Sequence, residues 1–104
     1  MSFTEDITKA FARRVGRFEW AVLAAVKEFP ERAYCAELSR ILSEREGREV
    51  SMGQVSRTLG VLRDIGAITV ERRYVDPPQK NQRHRMVHEI TDVGKQVLHW
   101  LGKP

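Results

Sequence analysis

The sequence has only one cysteine, Cys35, in 104 residues. It therefore cannot form an intramolecular disulfide, and it fits a reducing compartment. Long apolar runs are also missing: the longest, Trp20 to Val26, is far shorter than the roughly 20 residues of a membrane-spanning helix. No basic segment near the N-terminus leads into an apolar one, so no signal peptide is predicted. We therefore expect a cytoplasmic protein.

Residue patterns that support catalysis or metal binding are scarce. His84, His88 and His99 are scattered, and no carboxylate or cysteine stands at the spacing of a metal site. Cys35 has no histidine partner marked by the sequence, and no glycine-rich loop could hold a phosphate. His88 lies on one face of a predicted strand, which favours a partly buried structural role. We expect no enzyme, no metal and no cofactor.

The positive charge is concentrated in one segment. The chain carries 18 basic and 14 acidic residues, a net charge of +4. Residues 72–88 contain five basic residues and one acidic residue, whereas the rest of the chain is balanced. The five basic residues are Arg72, Arg73, Lys80, Arg83 and Arg85. Such a local excess is typical of a surface that binds a polyanion, and the alternative is a solvated loop whose charges only aid solubility.

The stretch from 51 to 65 has the pattern of an amphipathic helix. Its apolar residues recur at helical spacing and predict a buried stripe of Met52, Val55, Leu59 and Leu62. Ser51 and Gln54 have the form of a capping box, which marks the start of the helix. Gly66 follows the last apolar turn, as a C-terminal cap would.

The opposite side of this helix suits the major groove of DNA, because its first turns are small or able to donate hydrogen bonds. Gln54 could contact adenine and Arg57 guanine, or either could bind phosphate. Gly53 would let the backbone approach DNA closely. Ser51 and Ser56, near the helix N-terminus, suit a phosphate contact. The alternative is an ordinary amphipathic surface helix.

The remaining patterns predict the order of elements. Two helical patterns precede this helix, a strand pattern follows it, and Asp76-Pro77-Pro78 should end paired strand structure before a second strand begins near Met86. The predicted elements are an N-terminal helical segment over about 3–29, helices over 33–44 and 51–65, a hairpin over 68–91 and a helix over 92–101. Gly16 leaves open whether the first segment is one helix or two. This order predicts a winged helix-turn-helix, mostly α with a β-hairpin wing, in a single domain over 1–104.

Three segments have patterns known from one family. Tyr34-Cys35-Ala36-Glu37-Leu38 is similar to a short Tyr-Gly-Tyr-Glu-like opening of the second helix. Residues 51–66 are similar to a Ser-x-Gly-x-Leu-Tyr-x-x-Leu-x-x-Leu-x-x-x-Gly recognition helix, and residues 88–94 to a Tyr-x-Leu-Thr-x-x-Gly exit from the wing. On these residues the chain resembles the short subclass of PadR-like winged-helix transcriptional regulators. Ser56 and His88 stand where this family has tyrosines, and Cys35 where a glycine is usual.

The resemblance implies a homodimeric, repressor-like protein that binds a near-palindromic operator. Relatives often answer to a small aromatic or drug-like ligand, although no residue here specifies one. It also implies pairing through the N- and C-terminal helices, and large apolar residues near both ends make an interface there plausible on physical grounds. The predicted interface residues are Phe3, Ile7, Phe11, Trp100 and Leu101.

We therefore predict a sequence-specific transcriptional regulator that places the 51–65 helix in the major groove and the basic wing on phosphates or in the minor groove. The predicted DNA-binding residues are Ser51, Gly53, Gln54, Ser56, Arg57, Arg73, Lys80, Arg83 and Arg85. The alternative is a winged-helix module that binds proteins in a replication or other multiprotein assembly, since fold alone does not settle function.

Overall fold

The computed structural model describes residues 15–79 and 82–101, with side chains over 15–74 and 85–99. In this part of the chain, helices and one antiparallel hairpin follow each other in the predicted order. The elements are α1 (Arg17–Glu28), a short 3-10 turn (Pro30–Arg32), α2 (Cys35–Glu46), α3 (Met52–Asp64), β1 (Ile68–Gln79), β2 (Gln82–Ile90) and α4 (Asp92–Leu101). The predicted fold class, mostly helical with a hairpin wing, is confirmed. None of the described helices is long and apolar enough to cross a membrane.

The first described helix begins immediately after Gly16. That glycine has an extended backbone, with φ −77° and ψ 178°, and its carbonyl accepts the first helical hydrogen bond from Trp20 N at 3.0 Å. Helical structure therefore does not run through Gly16, and the earlier part of the predicted N-terminal segment, residues 3–14, lies outside the described residues. The helix ends at Glu28, and Pro30 opens the 3-10 turn, because proline fits the first turn of a helix and not its interior.

The two middle helices end at glycines with left-handed backbones. Gly47 (φ +65°) follows α2 and donates its N–H to Ser43 O at 3.0 Å. Gly66 (φ +78°) follows α3 and donates to Arg63 O at 2.9 Å. Glycine adopts this conformation without a Cβ clash, so it ends helices well. The predicted role of Gly66 in ending α3 is confirmed.

The wing differs from the prediction in its length. Pairing is regular from Ile68↔Ile90 to Tyr74↔His84, becomes irregular after Tyr74, and resumes at Gln79↔Gln82. The expectation that Asp76-Pro77-Pro78 interrupts paired strand structure is confirmed, although β1 stays extended through the two prolines to Gln79. Proline's fixed φ fits an extended chain, although its missing N–H interrupts the ladder. The second strand likewise begins at Gln82, four residues before the predicted start.

The core forms around α1, which contacts α2, α3, α4 and β2. Its largest fully buried side chains are Leu23, Leu38, Leu42, Leu62, Val22, Val26, Val50, Val55 and Val97. Of the stripe predicted on α3, three residues are buried and Met52 is not: 54% of it is exposed. Met52 is the first residue of α3, and this end of the helix lies beside the N-terminus of α2. The predicted burial of Met52 was wrong.

The start of α4 is fixed against the loop that follows α3. Thr91 Oγ1 accepts a hydrogen bond from Gly94 N at 3.1 Å and donates to Gly66 O at 2.6 Å. Thr91 N also donates to Ala67 O at 3.0 Å. Thr91 therefore caps α4, and it ties the helix to residues 66–67.

Candidate nucleic-acid interface

The N-terminal half of α3 presents a capped, open surface. Ser51 Oγ accepts a hydrogen bond from Gln54 N at 3.1 Å, so the predicted cap is present. Gly53, Ser56 and Arg57 are exposed, and Gln54 is half-buried. A Cβ built on Gly53 would meet only Ser51 Oγ, at 3.9 Å, so the space beside this glycine is empty. The five residues predicted to contact DNA on this helix therefore lie together near its N-terminal end.

Glutamates neutralise many of the arginines elsewhere on the surface. The ion pairs of the described side chains are Arg32–Glu37, Arg40–Glu37, Arg40–Glu44, Arg45–Glu28, Arg48–Glu46 and Arg73–Glu71. Within this described set, neither Arg57 nor Arg63 of α3 has a carboxylate partner. The positive charge of α3 is therefore available for an external anion.

The wing contributes further cations. Arg73 and Arg85 are cross-strand partners, so they share a face of the hairpin. Arg73 Nη2 lies 3.3 Å from Glu71 Oε2, which partly neutralises it. Lys80 lies outside the described residues, and Arg83 belongs to β2 although its side chain is not described. The DNA contacts of these wing residues stay a prediction.

A cavity of about 420 Å³ separates α3 from β2. Its lining residues are Tyr34, Cys35, Ala36, Met52, Ser56, Leu59, Arg63, Arg85, Met86 and His88. Sequence reasoning singled out neither Tyr34 nor Arg63 as functional. A signal for Arg63 was present, since it stands seven residues after Ser56 and therefore on the same helix face. No sequence signal places Tyr34 beside the wing.

Cys35 and His88 line this same cavity, although the sequence did not mark them as partners. The Cys35 thiol donates to Met52 O at 3.1 Å, and burial raises its pKa. Burial lowers the pKa of His88, and the nearby charge of Arg63 lowers it further, although a hydrogen bond with Ala33 acts in the opposite direction. Both shifts favour the neutral forms, so the two groups do not form the thiolate–imidazolium pair of a catalytic cysteine.

His88 has the structural role that the sequence predicted. It is 4% exposed, and its backbone N donates to Ala33 O at 2.8 Å. Its Nδ1 lies 3.1 Å from the same carbonyl oxygen, which can only accept, so Nδ1 carries the proton. The wing is thereby attached to the turn before α2. Among the described residues, no cluster of three or more His, Cys, Asp or Glu side chains could hold a metal ion.

The predicted dimer residues fall mostly outside the described side chains. Phe3, Ile7 and Phe11 lie outside the described residues, and Trp100 and Leu101 form the described backbone end of α4 without described side chains. A shallow groove between α1 and α4 is lined by Trp20, Ala24, Lys27, Glu28 and Leu98. Trp20 is 37% exposed, so a large aromatic group faces outward there.

In the described part of the chain, three helices, a hairpin wing and a fourth helix define a winged-helix domain. No protein family and no curated protein matches the chain in sequence. Among solved structures, the chain is similar to Bacillus subtilis PadR in its crystal structure with operator DNA, with a TM-score of 0.66 and 23% sequence identity. The match covers 84% of this chain and 48% of that one, so the chain spans about half the length of that PadR chain. The likeness confirms, at the level of the fold, the predicted resemblance to PadR-like winged-helix regulators.

Proposed function

We propose that the chain is a sequence-specific DNA-binding transcriptional regulator, acting as a repressor in the cytoplasm and not as an enzyme. The observation that carries this proposal is the N-terminal half of α3: capped by Ser51, open beside Gly53, and carrying Arg57 without a carboxylate partner among the described residues. A helix with these properties can enter the major groove and contact base edges. The solved relative in the comparison was crystallised with operator DNA, which supports the same use of the fold.

The wing would supply contacts that do not depend on sequence. Arg73, Lys80, Arg83 and Arg85 would neutralise phosphates or enter the adjacent minor groove. Each such contact releases counterions, so specific and non-specific binding should both weaken steeply as salt concentration rises.

We also propose that the chain acts as a homodimer through its N- and C-terminal helices. The exposed Trp20 and its groove with Leu98 support this, because aromatic residues are enriched in protein interfaces. Sedimentation equilibrium should then give twice the chain mass of 12.0 kDa. Trp100→Glu should shift the protein toward the monomer, whereas Arg45→Ala, on α2, should leave the mass unchanged. A monomeric wild-type chain would contradict the proposal.

The decisive experiment is selection of bound sites from random duplex DNA, followed by titration of the selected site at several salt concentrations. An enriched inverted repeat is expected. Arg57→Ala should weaken binding to it by about 1–3 kcal/mol and relax the preference at one position. Arg45→Ala is the matched control, because Arg45 is exposed and paired with Glu28.

Two outcomes would overturn this function. If Arg57→Ala kept full affinity and full sequence preference, the assignment of α3 to the major groove would be wrong. If no sequence were enriched and binding vanished at physiological salt, the chain would instead be a protein-interaction module.

A further inference from the structure

The cavity between α3 and the wing has an excess of positive charge. Arg63 and Arg85 line it from two different elements, and none of the described residues that line it carries a carboxylate. Arg63 has no carboxylate partner in the described part of the chain, unlike the arginines of α2. His88 adds no counter-charge, because a histidine is either neutral or positive. The cavity therefore suits an anion.

Arg85 is held in place at this cavity by an aromatic ring. Its guanidinium carbon lies 4.4 Å from the centroid of the Tyr34 ring, well within the range of a cation–π contact. Tyr34 immediately precedes α2, and the neighbouring Ala33 accepts a hydrogen bond from His88 of β2. This hydrogen bond holds β2 next to the Tyr34 ring. An arginine that is already oriented loses less side-chain entropy when it binds a ligand.

The position of the cavity identifies the anion. A helix in the major groove and a wing in the adjacent minor groove lie on either side of one sugar–phosphate strand. The cavity lies between these two elements, so in the proposed binding mode that strand would pass over it. Ser56, on the face of α3 that lines the cavity, adds a hydroxyl that can donate to a phosphate oxygen.

We propose that this cavity is a phosphodiester site, in which Arg63 and Arg85 hold one backbone phosphate between the two grooves and Tyr34 acts as a positioning residue for Arg85. The inference rests on the proposed DNA-binding function and adds two residues, Arg63 and Tyr34, to it. It assigns Arg63 a phosphate contact that contributes affinity without sequence preference, in contrast to Arg57, and it assigns Tyr34 the orientation of Arg85.

The test compares binding of the selected duplex by the wild-type chain and by Arg63→Gln over a range of salt concentrations. Loss of one phosphate contact should flatten the slope of log K against log salt by about one unit and weaken all sequences alike. Arg45→Gln, which removes the same charge outside the cavity, should leave the slope unchanged. Circular dichroism of each variant verifies that it is folded.

The positioning role of Tyr34 is tested by measuring DNA binding of Tyr34 variants with and without Arg85. Tyr34→Phe keeps the ring and should bind as the wild type does, whereas Tyr34→Leu should weaken binding. In the Arg85→Gln background, Tyr34→Leu should have little further effect, because the ring acts through Arg85. Equal, additive losses in both backgrounds would overturn the positioning role.

The remaining outcomes separate the proposals from each other. A wild-type chain that binds no DNA would overturn the proposed function itself. A wild-type chain that binds DNA, with an Arg63→Gln slope equal to its own, would overturn only the phosphodiester site. Inorganic phosphate, titrated at constant ionic strength and followed by amide NMR shifts, tests the other source of this chemistry. Shifts around Arg63 together with an unchanged DNA slope would mean a free-anion site, and the inference would be wrong.

Discussion

Gly94 is the position where a single methyl group should most clearly disturb this fold. A Cβ built there would lie 2.2 Å from Ala67 O and 2.6 Å from Cγ1 of Ile90, whereas ordinary contact begins at 3.4 Å. The carbonyl oxygen cannot give way freely, because it accepts the hydrogen bond from Thr91 N that anchors α4. Gly94→Ala must therefore push α4 away from the loop at 66–67 by about 1 Å.

The size of the effect follows from three contributions. Overpacking costs about 1–3 kcal/mol, and weakening the Thr91 hydrogen bond costs about 1 kcal/mol. The better helix propensity of alanine offsets these by at most about 1 kcal/mol. With the full offset, we expect the free energy of unfolding to fall by about 1–3 kcal/mol. For a domain of this size, that corresponds to a decrease in Tm of roughly 4–24 °C.

Urea and thermal unfolding, followed by circular dichroism at 222 nm, measure this effect. Gly53→Ala is the matched control, because it lies within α3 and has nothing closer than 3.9 Å. It should leave the fold as stable as before or stabilise it by up to about 1 kcal/mol. A Gly94→Ala variant within about 0.5 kcal/mol of the wild type would refute the close packing of α4 on this loop.

Three further predictions concern the cap, the buried histidine and Gly53, the glycine predicted to lie against DNA. Ser51→Ala should lower the free energy of unfolding by about 1 kcal/mol, and Ser51→Asp should restore it; equal stability of all three chains would deny the cap. His88 has a pKa below its ordinary 6.5, so protonation favours the unfolded chain, and the free energy of unfolding should fall as the pH drops through about 6.5. His88→Gln should reduce this fall; a pH profile of stability equal to that of the wild type would contradict the buried neutral role. Gly53→Ala should weaken DNA binding without loss of stability, and unchanged affinity would show that the DNA backbone does not approach there.

The sequence by itself determined the order of the elements and the ends of α3. Ser51 and Gly66 mark those ends through hydrogen bonds to neighbours within three residues, so local patterns are sufficient to predict them. The burial of Val55, Leu59 and Leu62 was also predictable, because helical periodicity depends only on spacing. The same rule failed for Met52, since periodicity cannot tell where along the helix the packed core ends.

Tertiary structure alone decided what lies beside α3 on its wing side. Ala33 and His88 are 55 residues apart in the chain, yet one carbonyl oxygen accepts from both the backbone N and Nδ1 of that histidine. The same junction brings Arg85 over Tyr34 and places Arg63 across the cavity from the wing. Spacing in sequence shows which face of an element is apolar, but it carries no information about which distant residue packs against that face. That choice depends on how the helices and the hairpin fit around one shared core.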